Sequence, residues 1–251
     1  MSKNRTSDGR AEKGSKYWMQ GIADPSEFIN EPEYPIFVKY HRLIGNILES
    51  GTLTWLSPLH KEKYHEYRLN EKREYKKYSK NIKTDTLCYK SDAEFREDFK
   101  FWPSQHPVWD AIAIAENGKE LYLFEAKAHV DETLTQCGAT SPKSIKRIRE
   151  SMGEAYKYFS QSKAVDDDKL EYFWMKQYYQ LGNRLTFLYY MNNRLKLRKD
   201  KHTTLVLLNI VDDKYGKTGK ADWDKHYKSV FHEMIGYEEP PEDVKIVYIP
   251  D

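Results

Sequence analysis

Two apolar runs, residues 108–115 and 120–127, are parted by only Glu116-Asn117-Gly118-Lys119, which leaves this stretch little choice of local structure. An Asn-Gly pair between apolar runs signals a hairpin, because both central residues of a type I′ turn need positive φ. A two-residue turn at Asn117-Gly118 sets Ile114 against Leu121, Ile112 against Leu123 and Asp110 against Glu125. Side chains alternate along a strand, so Asp110, Ile112, Ile114, Leu121, Leu123, Glu125 and Lys127 share one face, and the alanines with Tyr122 and Phe124 share the other. Both faces are mainly apolar, so the hairpin is expected inside a sheet covered on its two sides.

The flanking sequence supplies the covering elements. Apolar residues at three- and four-residue steps predict a helix over 34–49, and a β-like run follows at 52–56. The Lys/Glu/Arg/Tyr stretch 61–80 reads as a polar surface helix. Ser91 with Glu94 three positions on has capping-box spacing and opens a helix over 92–101. Pro142 in a first turn opens another to about 159, and a long aromatic helix is expected over 170–197. A strand at 203–211, a helix near 221–235 and a strand at 244–249 close the chain. Helices, a hairpin and a strand–helix–strand unit predict an α/β fold, with a mixed β-sheet core flanked by helices. Residues 1–16 lack apolar periodicity and read as a disordered basic N-terminus, and residues 17–251 as one domain with an N-terminal helical embellishment.

Composition narrows the function classes. The chain has 41 Lys+Arg against 39 Asp+Glu, a formal charge of +2, which excludes a polyelectrolyte tail and leaves room for local basic faces. With two cysteines, Cys88 and Cys137, a four-thiolate zinc site and a disulfide framework are excluded, and a reducing, cytoplasmic setting is expected. No apolar run approaches the roughly 18–20 residues of a membrane span. Gly216-Lys217-Thr218 mimics the end of a phosphate loop, but Val211 stands where that loop needs its first glycine.

The chemistry concentrates at the open end of the hairpin. Two carboxylates at opposed positions repel, so Asp110 and Glu125 call for a cation between them, either Lys127 on the same face or a divalent ion. Mg²⁺ or Mn²⁺ could be held by Asp110, Glu125 and the Ala126 carbonyl, completing its shell with water and phosphate oxygens. Lys127 would then position or deprotonate a bound water, or neutralise developing charge. The plainer alternative is an ion pair closing a strand end.

Asp110 followed by Glu125-Ala126-Lys127 at the end of the next strand resembles the PD-(D/E)xK nuclease superfamily, the restriction-endonuclease-like proteins. Phe101-Trp102-Pro103, Trp109-Asp110 and Tyr179-Gln180-Leu181-Gly182-Asn183-Arg184 are similar to an uncharacterised bacterial subgroup of it. The resemblance covers roughly residues 91–211, and it departs where Trp109 replaces the proline before the aspartate. It implies a metal-dependent nuclease acting on nucleic acid, DNA first, with Asp110 and Glu125 as metal ligands and Lys127 as catalytic residue, and leaves endonuclease or exonuclease action open. A nuclease-fold module that binds nucleic acid or protein without cutting stays open, as does a homodimer. Glu94 is the candidate auxiliary acid, with Glu49 behind it, against a capping role. His129 could touch phosphate, or be a surface histidine. Gln180, Asn183 and Arg184 share a helix face and could hold the lysine, a phosphate or a base, or pack between helices. Lys143, Lys146 and Arg147 read as a phosphate-tracking cluster or a solvated helix face.

Overall fold

The computed structural model describes residues 9–70, 91–195 and 201–250. Its main elements are α1 (Gly14–Ala23), α2 (Tyr34–Ile47), β1 (Leu53–Ser57), α3 (Asp92–Asp98), β2 (Ala111–Ala115), β3 (Glu120–Lys127), α4 (Pro142–Phe159), α5 (Tyr179–Asn193), β4 (His202–Ile210), α6 (Lys220–Ile235) and β5 (Val244–Ile249). The strands form one mixed sheet in the order β1-β2-β3-β4-β5. β1, β2 and β3 run antiparallel, whereas β3, β4 and β5 run parallel. Parallel neighbours need crossovers, and α4, α5 and α6 supply them.

The alternation within the hairpin sorts the two cores as expected. Ile112, Leu121 and Leu123 of the hairpin, with Leu205 and Leu207 of β4, pack against Met152, Leu185, Trp223 and Phe231 from α4, α5 and α6. Ala111, Ala113, Tyr122 and Phe124, with Val206 and Leu208, pack against Trp18, Ile22, Phe37 and Ile44 from α1 and α2. Alanines on the second face let the bulky aromatics of α1 and α2 approach the sheet closely. Among the described residues no helix is long and apolar enough to cross a membrane.

The hairpin register is the expected one, with Ala111 facing Phe124 and Ile114 facing Leu121. Its turn differs: Gly118 takes φ +68° while Asn117 stays out of the left-handed region. The Gly118 N–H closes on the Ala115 carbonyl at 2.8 Å, and the Asn117 side chain accepts from the Lys119 N–H at 2.8 Å. The Asn side chain thus stabilises the turn by a local hydrogen bond, and the type I′ geometry is not used.

Three other expectations change. Of the stretch read as a polar helix, residues 71–80 lie outside the described residues. Residues 61–70 form one short helical turn followed by irregular chain, with Lys63 and Tyr64 at φ +52° and +53°. Tyr64, Tyr67 and Leu69 are buried there, so the tyrosines work as core side chains. Residues 9–16 are not loose: Ala11 is buried and its N–H binds the Gln20 side chain at 2.7 Å. The long aromatic helix is broken at Tyr178, between a wide π-helical segment (Leu170–Gln177) and α5. The break is made by Thr135, whose N–H reaches the Gln177 carbonyl at 2.8 Å and whose carbonyl and hydroxyl accept from the Tyr179 and Gln180 N–H groups at 3.0 and 2.8 Å.

Candidate active site

Asp110 stands just before β2 and Glu125 and Lys127 close β3, at the end of the sheet where the parallel strands finish. Open sheets of this kind bind ligands beyond the carboxyl ends of their strands. The ladder slips by one residue there, because the Asp110 N–H binds the Phe124 carbonyl (3.2 Å) that register alone would give to Ala111. This slip turns the Asp110 side chain back over β3, where Oδ2 accepts from the Ala126 N–H at 2.8 Å.

Glu125 lies at the centre. One of its oxygens takes the Lys127 ammonium. The other takes Arg184, with Nε at 2.8 Å and Nη2 at 2.6 Å. Arg184 is itself held by the Val108 carbonyl at 2.7 Å and the Asn183 side chain at 2.8 Å, with its guanidinium 4.5 Å over the Trp109 ring. Trp109 is the plate against which Arg184 is stacked. Asn183 and Arg184 are both buried, and together they hold Glu125 from behind.

The charges sort the two acids. Burial opposes ionisation of Glu125, yet Arg184 and Lys127 outweigh it and hold its carboxyl below the usual range. Asp110 has no such partner. Burial, then the Glu125 charge, push it up to about 7, against the relief given by Lys127. The Lys127 amine is raised, because Glu125 and Asp110 together overcome its desolvation, so it is a cation at neutral pH. Two neighbouring carboxyls with pKa values driven apart are a common mark of an acid–base site.

The remaining candidates fall elsewhere. Glu94 is exposed on α3, where its N–H is capped by Ser91 Oγ at 3.2 Å, and it is not among the leading charges on Asp110, Glu125 or Lys127. Glu49 follows α2 at the hairpin-turn end of the sheet. The acid that does reach Asp110 is Glu66, which raises its pKa further and is itself paired with Lys16. Nothing local in the charged run around Glu66 marks it. His129 lies past the end of β3, where its Nδ1 accepts the Asp131 N–H at 3.1 Å, so it caps a turn. Lys143 and Lys146 are exposed at the start of α4 and Arg147 is half-buried.

On the β4 side of Glu125 and Lys127 a narrow crevice opens, bounded by Tyr178, Gln180, His226 and Tyr227, with room for about one water molecule. Thr133 Oγ1 donates to the Val130 carbonyl at 2.7 Å and meets His226 Nε2 at 2.9 Å. A hydroxyl has one hydrogen, so Nε2 must be the donor in that contact and Nδ1 the bare nitrogen. Burial holds the imidazole pKa below its ordinary value, which keeps this tautomer neutral. Sequence reasoning passed over His226 because its only link to the motif is through the fold. Among the described residues no three His, Cys, Asp or Glu side chains converge as a ready metal cage.

No protein-family model, curated protein or solved structure matches the chain.

Proposed function

We propose that the chain is a metal-dependent nuclease that hydrolyses phosphodiester bonds of nucleic acid, DNA first, in the manner of the PD-(D/E)xK enzymes it resembles. The observation that carries this reading is the meeting of Asp110, Glu125 and Lys127 at one end of the sheet, across two strands and out of an otherwise apolar hairpin.

The donor set suits Mg²⁺ or Mn²⁺. Asp110 Oδ2 is engaged by a backbone N–H, which leaves Oδ1 with no protein partner among the described residues. A carboxyl raised to about 7 by burial and a neighbouring anion is one whose charge the nearby Lys127 offsets only in part. Asp110, Glu125 and the Ala126 carbonyl would hold the ion as hard oxygen ligands, with waters filling the other positions. When bound, the ion supplies Lewis acidity and a water of lowered pKa. Lys127, charged at neutral pH, serves as a cation beside the phosphoryl oxygens and not as a base. Arg184, locked on Trp109, fixes the Glu125 carboxylate while Lys127 turns from it to the substrate.

One observation favours a second reading, a nuclease-fold module that binds without cutting: both Glu125 oxygens already have cationic partners. Incubating the purified protein with DNA and RNA, with Mg²⁺, Mn²⁺ or chelator, separates the two. Cutting that needs the metal and falls by at least about 100-fold in Glu125→Ala and Lys127→Ala supports the nuclease. Binding without cutting selects the second reading, and absence of both removes nucleic acid as partner.

A further inference from the structure

The form of nucleic acid that reaches these acids can be read from the ground beside them. Acidic residues number 39 in 251, yet none occurs between Glu132 and Glu150, a stretch that holds Lys143, Lys146, Arg147 and Arg149 and is otherwise rich in Thr, Ser, Gln and small residues. Arg149 is consumed by Asp167 at 2.9 Å and Glu171 at 2.6 Å, and Lys146 stands 3.9 Å from Glu150 across an exposed turn of α4, which leaves Lys143, Arg147 and the loosely paired Lys146 as the cationic side of this rim. Before α4 the rim is held in place by backbone bonds, the Thr135 and Cys137 N–H groups each reaching a carbonyl of the π-helical segment at 2.8 Å.

The rim borders an open groove of about 490 Å³, to whose lining it contributes Thr140, Ser141 and Ser144. The groove is also lined by the turn from Trp102 to Gln105, which leads on to Asp110, and by Tyr179 at the start of α5. Tyr179 feels the charge of Arg184, and the next residue, Gln180, lines the crevice of Glu125 and Lys127. Groove and acids are therefore neighbours across the first turn of α5.

We propose that this groove receives a single strand of nucleic acid, held by the lining hydroxyls of Thr140, Ser141 and Ser144, with its phosphates running out along Lys143, Lys146 and Arg147, which flank the groove on α4. The inference rests on the nuclease reading and adds to it the substrate class. Hydroxyl and basic side chains without acids are the usual equipment for phosphate contacts. The volume lies within the roughly 300–1,000 Å³ of pockets for small molecules, room for about one nucleotide at a time. Duplex DNA is stiff over about 150 base pairs, and its phosphates lie on the outside of a wide cylinder. The Glu125 and Lys127 side chains are 5% and 10% exposed, a depth that a bending single strand can reach and a rigid duplex cannot.

The test is fluorescence anisotropy with short labelled single-stranded DNA, single-stranded RNA and blunt duplex DNA, in Ca²⁺ to permit binding without turnover. The wild type is compared with Lys143→Glu/Lys146→Glu/Arg147→Glu and with the control Lys225→Glu/Lys228→Glu on the solvent side of α6. The expected result is single-strand binding at least about 10-fold tighter than duplex, lost by 10-fold or more in the triple variant and kept in the control. The salt slope of log K should fall by about 2 in the triple variant, as three phosphate contacts go at about 0.7 each. Equal or tighter duplex binding, or a triple variant that binds like the wild type, overturns the inference and leaves the nuclease reading standing. A wild type that binds no nucleic acid overturns both. Circular dichroism of the triple variant tells loss of binding from loss of fold, and an unfolded triple variant transfers the test to the single reversals Lys143→Glu and Lys146→Glu.

Discussion

Asp110 is held against its own ionisation, and this makes a prediction with a definite sign. Its folded pKa lies at about 7 against an ordinary 3.8, so folding favours the protonated carboxyl. The corresponding stability is fully present below about 4 and is lost as the pH rises through about 7. Asp110→Asn keeps the acceptor for the Ala126 N–H and removes the charge. The variant should therefore melt above the wild type at pH 8, by on the order of 1–2 kcal/mol once partial exposure is discounted, with the gap closing at pH 4. Calorimetry at the two pH values checks it, and a gap that widens on acidification would refute the assignment. Arg184 makes the opposite case. Arg184→Met leaves Glu125 with Lys127 alone in a buried site and should cost about 3–5 kcal/mol in denaturant unfolding. Arg184→Lys should recover only part of this, since an ammonium cannot bridge Glu125, Val108 and Asn183 together. The acid pair was legible because its register depends on a turn close in sequence. Glu66 and His226 were not, because each reaches the site through chain folded from far away.

At the scale of elements, the hairpin shows how a correct register can come from a different turn. Only Gly118 sits at positive φ there, and nothing lies within 4 Å of the position a Cβ would take. Gly118→Ala should thus cost about 1 kcal/mol through backbone strain alone, with Gly118→Asn milder, read as a shift in urea midpoint at unchanged slope. Strands and their faces were legible because period-two alternation is a local property. The long aromatic helix was misread at Tyr178 because its interruption comes from Thr135, more than forty positions earlier, and no propensity of residues 170–197 announces it. The polar helix at 61–70 failed for another reason. Tyrosine was counted with the polar residues, whereas Tyr64 and Tyr67 are buried and the left-handed Lys63 and Tyr64 stop any helix between them.

At the scale of the whole molecule, a single sheet separates two cores, and the acids sit at the end of its strands, where neither core supports the Asp110 charge. A divalent ion should therefore act as a stabiliser of the entire fold. Mg²⁺ or Mn²⁺ is expected to raise the melting temperature of the wild type by several degrees at pH 8 and by less at pH 6, since Asp110 must surrender its proton to bind. Asp110→Asn should show little response at either pH, and an equal response would place the ion elsewhere. The mixed-sheet class was legible from element order, but the clasping of the sheet end by the N-terminal helix was not. Trp18 reaches Asp213 at 2.9 Å and Ser15 reaches Glu132 at 3.0 Å, contacts that no pattern within residues 1–18 foretells.

The grip of Glu125 on Lys127 has a practical corollary. An ammonium that is almost wholly covered and clamped by a carboxylate is a poor target for acylating reagents, so lysines on the surface should be labelled long before it. Whatever draws Glu125 away bares the amine. The labelling rate at this one lysine, followed by peptide mass spectrometry, then becomes a clock for how often the acid lets go.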